Sequence, residues 1–347
     1  MDILIVTEKA TDRPKEGLEV FVSALLDFLK DRYAIEMVYS YGKPPAGIES
    51  KKILSNKIII SSSLVSNFKK NQYKSIIYIP TSSLTAFGML RGVFLSKLSK
   101  KPVIIIALQE RSIGPLHKLI ASAKSNLTIL TPSRKMLDNI SSIGVKTSFL
   151  IPGFREEKFY PVTSDKKTEL RKKYKLPLNK FLILHVGHAR KSRNIESLAK
   201  GNNWGNDVQL VFKAGEGEKN IIENLKNSGM LVIDEYIEDI NEIYQASDCY
   251  LFHVTSPTGA LELPLSIIEA CACNLPVLST RFGAVEDLFE ETDGFYFFNT
   301  IEEAMEKLKL LRKNIEKVNT RKFALNFTWS NVFKKYLEPI MEKLIGG

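Results

Sequence analysis

Glu269 stands just over one turn into a predicted helix, beyond a short apolar run and a polar loop, and that placement gives its carboxylate chemistry to do. Ser247-Asp248-Cys249-Tyr250-Leu251-Phe252 reads as a strand and a loop through Gly259 follows. A helix then runs from Pro264 through Ala270, and Leu275-Pro276-Val277-Leu278 gives the next buried strand. Pro264 sits where a first helical turn tolerates proline. Open α/β sheets bind ligands outside the carboxyl ends of their strands, where this loop and helix start must lie. A carboxylate there can accept hydrogen bonds from both vicinal hydroxyls of a ribose. A second basic loop, Gly187-His188-Ala189-Arg190-Lys191-Ser192-Arg193-Asn194, follows the apolar run Phe181 to Val186. Arg193 can hold phosphate oxygens bidentately. Backbone amides at Leu263 and Leu265 would add donors at the helix start. Together these residues suit a nucleotide-sized ligand.

The elements that must position them alternate along the whole chain. Ile3-Leu4-Ile5-Val6 is a short buried strand of the kind found in parallel sheets. Gly17 opens an amphipathic helix with Leu18, Phe21, Leu25, Phe28 and Leu29 at helical spacing. Further strands are expected at Ile58 to Ile60, Ile76 to Ile79, Val103 to Ala107 and Leu127 to Leu130. After Pro152-Gly153 and Pro161 the composition turns polar and basic, which marks a domain boundary. The alternation then resumes with strands at Phe181 to Gly187, Val208 to Phe212, Leu231 to Ile233, Tyr250 to Phe252 and Val277-Leu278. Such repeated βαβ patterning predicts parallel sheets. We expect a first Rossmann-like domain over 1–155, a second over 156–327, and one amphipathic helix over 328–347 with Phe333, Tyr336, Leu337, Ile340, Met341 and Leu344 on its apolar stripe.

Glu269-Ala270-Cys271-Ala272-Cys273-Asn274-Leu275-Pro276-Val277 resembles the donor-binding region of retaining glycosyltransferases of family 4, whose fold is GT-B. The resemblance implies two Rossmann-like domains facing a central cleft, with the C-terminal helix crossing back to the first. It implies that Glu269 holds the donor ribose, and that a second acid lies eight places earlier. Here that place is Leu261, and the nearest acid, Glu262, comes one residue later; we expect Glu262 to reach the sugar. The family's basic loop pairs an arginine with a later lysine, both gripping the diphosphate. Arg193-Asn194 takes the lysine's place and His188 the arginine's, with Gly187 and Lys191 alongside. Gly17 matches one glycine of a loop that faces the diphosphate from the first domain. Gln109 stands where the family often has a histidine near the reacting sugar, and an amide can hydrogen-bond a sugar but cannot act as a base. The base is expected against Tyr236-Ile237, with a core role as the competing reading of Tyr236. The implied reaction retains configuration at the anomeric carbon. With no Asp-x-Asp dyad suited to a bridged diphosphate and no zinc spacing, we expect metal-independent chemistry and no cofactor beyond the nucleotide sugar itself.

The chain has 347 residues, enough for about two domains. Its charge is uneven: residues 51–150 hold 16 basic side chains against 2 acidic ones. That half is expected to meet something anionic, with a membrane surface the foremost partner and nucleic acid a minor one. Lys51, Lys52, Lys57, Lys69, Lys70 and Lys74 would supply the charge, while Phe87, Met89, Leu90, Val93 and Phe94 are expected in the core. No leader or spanning segment is expected, and three cysteines, two of them one residue apart, suit a reducing cytoplasm with a peripheral place at the inner membrane face. The leading reading is a glycosyltransferase acting from a nucleotide sugar on a glycan or lipid-linked acceptor. A GT-B-fold epimerase or phosphorylase, and a non-catalytic nucleotide-sugar or nucleic-acid binding protein, are the alternatives.

Overall fold

Two buried apolar strands, one near each end of the chain's first two hundred residues, seed two separate parallel sheets. The computed structural model describes residues 1–53, 65, 73–80, 83–200, 204–292 and 294–345. The strand expected at Ile58 to Ile60, with Lys57, Lys69 and Lys70, lies outside the described residues.

The first sheet has seven strands: β1 (Ile3–Ala10), β2 (Ile35–Gly42), β3 (Glu49–Lys52), β4 (Ser75–Ile79), β5 (Val103–Ile106), β6 (Leu127–Thr131) and β7 (Lys146–Phe149). Their order is β3-β2-β1-β4-β5-β6-β7, and every pair is parallel. Ile3, Leu4, Ile5 and Val6 are buried, as are all five residues of β4, because both faces of the sheet are covered. β2 was not expected, since Glu36, Tyr39 and Ser40 interrupt its apolar residues. The structure buries Glu36 and gives it the Tyr73 hydroxyl as a hydrogen-bond donor.

The second sheet has six strands: β8 (Phe181–Ala189), β9 (Val208–Gly217), β10 (Leu231–Ile233), β11 (Cys249–Phe252), β12 (Val277–Ser279) and β13 (Phe295–Phe297). Its order is β10-β9-β8-β11-β12-β13, again all parallel. In both sheets the order reverses beside the first strand, between β1 and β4 and between β8 and β11. Those switch points are where a doubly wound sheet opens a crevice for a ligand.

The chain divides into two compact units. The first holds residues 1–152, 261–263 and 329–347; the second holds 153–260 and 264–328. The C-terminal segment is helical from Trp329 to Ile345, but Phe333–Leu337 widens into a π turn just before Pro339, in place of one regular helix. Proline has no amide to continue an α-helical ladder, and a π turn accommodates that loss. Within the first unit Phe333 packs between Phe21, Phe28 and Trp329 with ring centroids 5.1–5.9 Å apart. Such aromatic edges and offsets are favourable beyond the area they bury. All three cysteines are buried thiols.

Candidate active site

In the second unit, the loop after β8 turns through a single 3-10 turn at Lys191–Arg193, and Asn194 adopts the left-handed conformation that asparagine tolerates. This turn folds the Arg193 side chain back over the end of β8. A Cβ placed on Gly187 would lie 2.6 Å from Arg193 Nη1, so a side chain there would displace the guanidinium. The loop after β11 closes on the same turn: a Cβ on Gly259 would lie 2.7 Å from the Ser192 carbonyl oxygen. Two glycines therefore bring two loops together at the β8/β11 switch point.

Arg193 is half-buried and forms no ion pair among the described residues. Burial and the nearby Arg190 both work against its charge. Beneath it lies His185, fully buried, whose Nδ1 is 2.8 Å from the Leu251 carbonyl oxygen. Desolvation drops the His185 imidazole to about 3, so it is neutral at physiological pH and adds no second cation. Its Nε2, close to Gly187, has no partner among the described residues. The buried Tyr250 ring stacks near His185, and its hydroxyl lies within electrostatic reach of both Arg193 and Glu269 and beside Ser266.

The helix Leu265–Ala272 starts at this place. Pro264 precedes it in extended conformation, no side chain caps its first turn, and that turn has no acid. Leu265 thus opens an uncapped helix whose amides and dipole favour an anion. Glu269 lies half-buried on it and accepts a hydrogen bond from Tyr244 Oη at 2.9 Å through Oε2. Burial pushes its carboxyl up to about 7, with the Tyr244 bond acting the other way. A carboxyl poised there becomes a stronger acceptor once ligand hydroxyls approach.

The remaining expected residues fall in several places. His188 is half-buried at the end of β8, with Nδ1 3.1 Å from the Glu216 carbonyl oxygen, and Lys191 is exposed on the turn. Tyr236 is 63 % exposed, which overturns its core reading, and Ile237 beside it is half-buried. In the first unit, Glu262 is 2 % exposed, so it is not a surface charge; its amide donates to the Leu108 carbonyl at 2.9 Å, next to Gln109. Leu263 is buried beside it. Gly17 does open a helix, but Glu19 Oε2 already accepts from the Lys15 and Glu16 amides at its start. Glu8, Lys9, Glu16 and Glu19 line a cleft of about 270 Å³ there, with Lys9 ion-paired to Glu19 and Arg91 to Glu8. His185, Tyr244 and Tyr250 carried no signal of their own in the sequence. A buried polar side chain on a β-strand looks like core until its neighbours are known.

Residues 166–323 match the family model described as "Glycosyl transferases group 1". A probable sucrose-phosphate synthase of Thermosipho melanesiensis is 26% identical over 222 residues, 59% of this chain and 49% of that protein. A putative teichuronic acid biosynthesis glycosyltransferase, TuaC of Bacillus subtilis, is 25% identical over 163 residues, 46% of this chain and 40% of that protein. The matches thus span about half or less of these relatives' lengths. Among solved structures, Anabaena HepE in complex with UDP superposes with a TM-score of 0.76 at 14% identity, covering 100% of both chains. That likeness shows the fold, two Rossmann-like domains of the GT-B class. The sequence matches support a glycosyltransferase.

Proposed function

We propose that this chain is a retaining glycosyltransferase of the family 4 type. It moves a sugar from a nucleotide-sugar donor to a glycan or lipid-linked acceptor. The observation that carries the reading is Arg193: a half-buried guanidinium with no carboxylate partner among the described residues, laid over neutral His185 and grouped through Tyr250 with Glu269 and the uncapped helix start. Burying a cation without an anion is costly, and a diphosphate supplies the missing partner.

In this reading the donor diphosphate sits against Arg193, the amides from Leu265 onward, and the Lys191 and His188 side of the loop. Glu269 takes the ribose hydroxyls, and the base lies by Tyr236 and Ile237. Glu262 and Gln109 serve the sugar side. The acceptor hydroxyl forms the new bond to the anomeric carbon on the face from which the diphosphate leaves, and the departing phosphate oxygen takes the hydroxyl proton. Charge grows on that diphosphate in the transition state, so Arg193 and the helix dipole act where stabilisation matters most. Such chemistry rests on positioning and preorganised charge and needs no protein base.

The test is donor turnover with UDP-, GDP- and ADP-sugars, with and without added glycan or glycolipid acceptors, followed by anomeric analysis of the product by NMR. Transfer with retained configuration supports the reading. Epimerised donor, phosphorolysis, or nucleotide-sugar binding without turnover of any donor would each replace it.

A further inference from the structure

The first unit carries an apolar face that its own core does not use. The helices Ala86–Ser99 and Pro115–Ala121 pack against each other, and both anchor in one core cluster, the first through Met89, Val93 and Leu95 and the second through Ile120. The inner contact is tight, since a Cβ on Gly92 would lie 2.5 Å from Ile105 Cδ1. Their outward sides therefore lie on the same side of the first sheet. Those sides are not polar. Phe87 is 60 % exposed and Leu119 69 %, with Phe94, Leu98 and Leu116 also exposed. Phe87, Phe94 and Leu98 recur at helical spacing, so they form one stripe. Phe87 and Phe94 were expected in the core and are corrected here; Met89 and Val93 do lie there, with Leu90 half-buried.

The charged side chains on the two helices have one sign. Neither helix contains an aspartate or glutamate, and Lys97 and Lys118 stand exposed beside the apolar residues. Clustered exposed apolar side chains mark a docking surface on a protein that is otherwise well packed. Aromatic and leucine side chains flanked by lysines, without acids, match the chemistry of an anionic lipid interface, where apolar groups enter the acyl boundary and cations stay at the headgroups.

We propose that the outward side of these two helices docks the protein on the surface of an anionic bilayer. The proposal is independent of the transferase reading, since no residue of the candidate active site lies on this face.

The experiment is vesicle flotation of the full chain at low salt, with phosphatidylglycerol in phosphatidylcholine against phosphatidylcholine alone. The wild type should float with the anionic vesicles and stay behind with the neutral ones. Phe87→Ser with Leu119→Ser removes apolar insertion, and Lys97→Glu with Lys118→Glu reverses the charge. Each pair should lower the bound fraction about tenfold or more. All four side chains are exposed, so the melting temperature should not change. Absent flotation of the wild type, or flotation reduced by only one of the two pairs, overturns the proposal. So does a dimer in sedimentation that Phe87→Ser dissociates, which would assign the face to a second copy of the chain.

Discussion

Arg193 shows how little room the site leaves around its cation. Removing it should leave stability nearly unchanged, because the guanidinium forms no ion pair among the described residues. Turnover, by contrast, should fall by on the order of 10²–10³, the usual cost of losing a preorganised partner for transition-state charge. Steady-state kinetics beside a melting curve for Arg193→Ala separates the two effects. Gly187→Ala should imitate that loss without touching the arginine, since its Cβ would occupy the place of Nη1. Glu269 makes a pH-dependent prediction. Its folded carboxyl is raised from 4.5 to about 7, so the folded state holds the proton more tightly than the unfolded chain does. Its contribution to stability of the ligand-free protein therefore falls as pH rises from 4.5 to about 7. Nucleotide affinity should move the other way, rising as the carboxylate forms, and Glu269→Gln should flatten both profiles in a pH series of melting and titration experiments. Glu262→Gln should lower transfer and spare nucleotide affinity, which donor kinetics beside nucleotide titration will distinguish. The positions of Arg193 and Glu269 on the loop after β8 and the helix after β11 were legible in the sequence because loop and helix starts after apolar runs have a known place in a wound sheet. His185, Tyr244 and Tyr250 were not, because their meaning arises only when β8, β11 and the helix 265–272 are brought side by side.

At the scale of elements, the strands with continuous apolar runs were legible: β4, β5, β6 and β11 are buried throughout, and β1 and β8 are buried over Ile3 to Val6 and Leu182 to His185. β2 escaped because its Glu36 reads as solvent-facing until Tyr73 meets it, and β13 because Phe295-Tyr296-Phe297 is too short to show a period. Of the expected C-terminal stripe, Phe333, Leu337 and Met341 are fully buried, while Tyr336, Ile340 and Leu344 are half-buried. Pro339 within it was the overlooked sign that the ladder must change. Phe333→Ala should destabilise the protein by about 3–5 kcal/mol, the range for a fully buried phenylalanine, because Phe21, Phe28 and Trp329 lose their common partner. Urea unfolding followed by circular dichroism measures it; a loss under about 1 kcal/mol would mean that this cluster is loosely packed.

For the whole molecule, the two proposals fall on different units, the exposed apolar side chains with Lys97 and Lys118 on the first and the Arg193 switch point on the second. No described helix is long and apolar enough to cross a membrane. The proposed chemistry assigns diphosphate stabilisation to Arg193 and a helix start, so transfer should persist in EDTA; activity that vanishes with chelator and returns with Mg²⁺ or Mn²⁺ contradicts that assignment. The most direct test of the central claim is calorimetric titration of UDP, GDP and ADP into the wild type and into Arg193→Ala, with UDP first because the Anabaena neighbour holds it. One of these nucleotides should bind the wild type, and Arg193→Ala should weaken it at least about tenfold, the loss of a charge-assisted contact. Binding of equal strength to both proteins, or no binding of any of the three to the wild type, contradicts the claim.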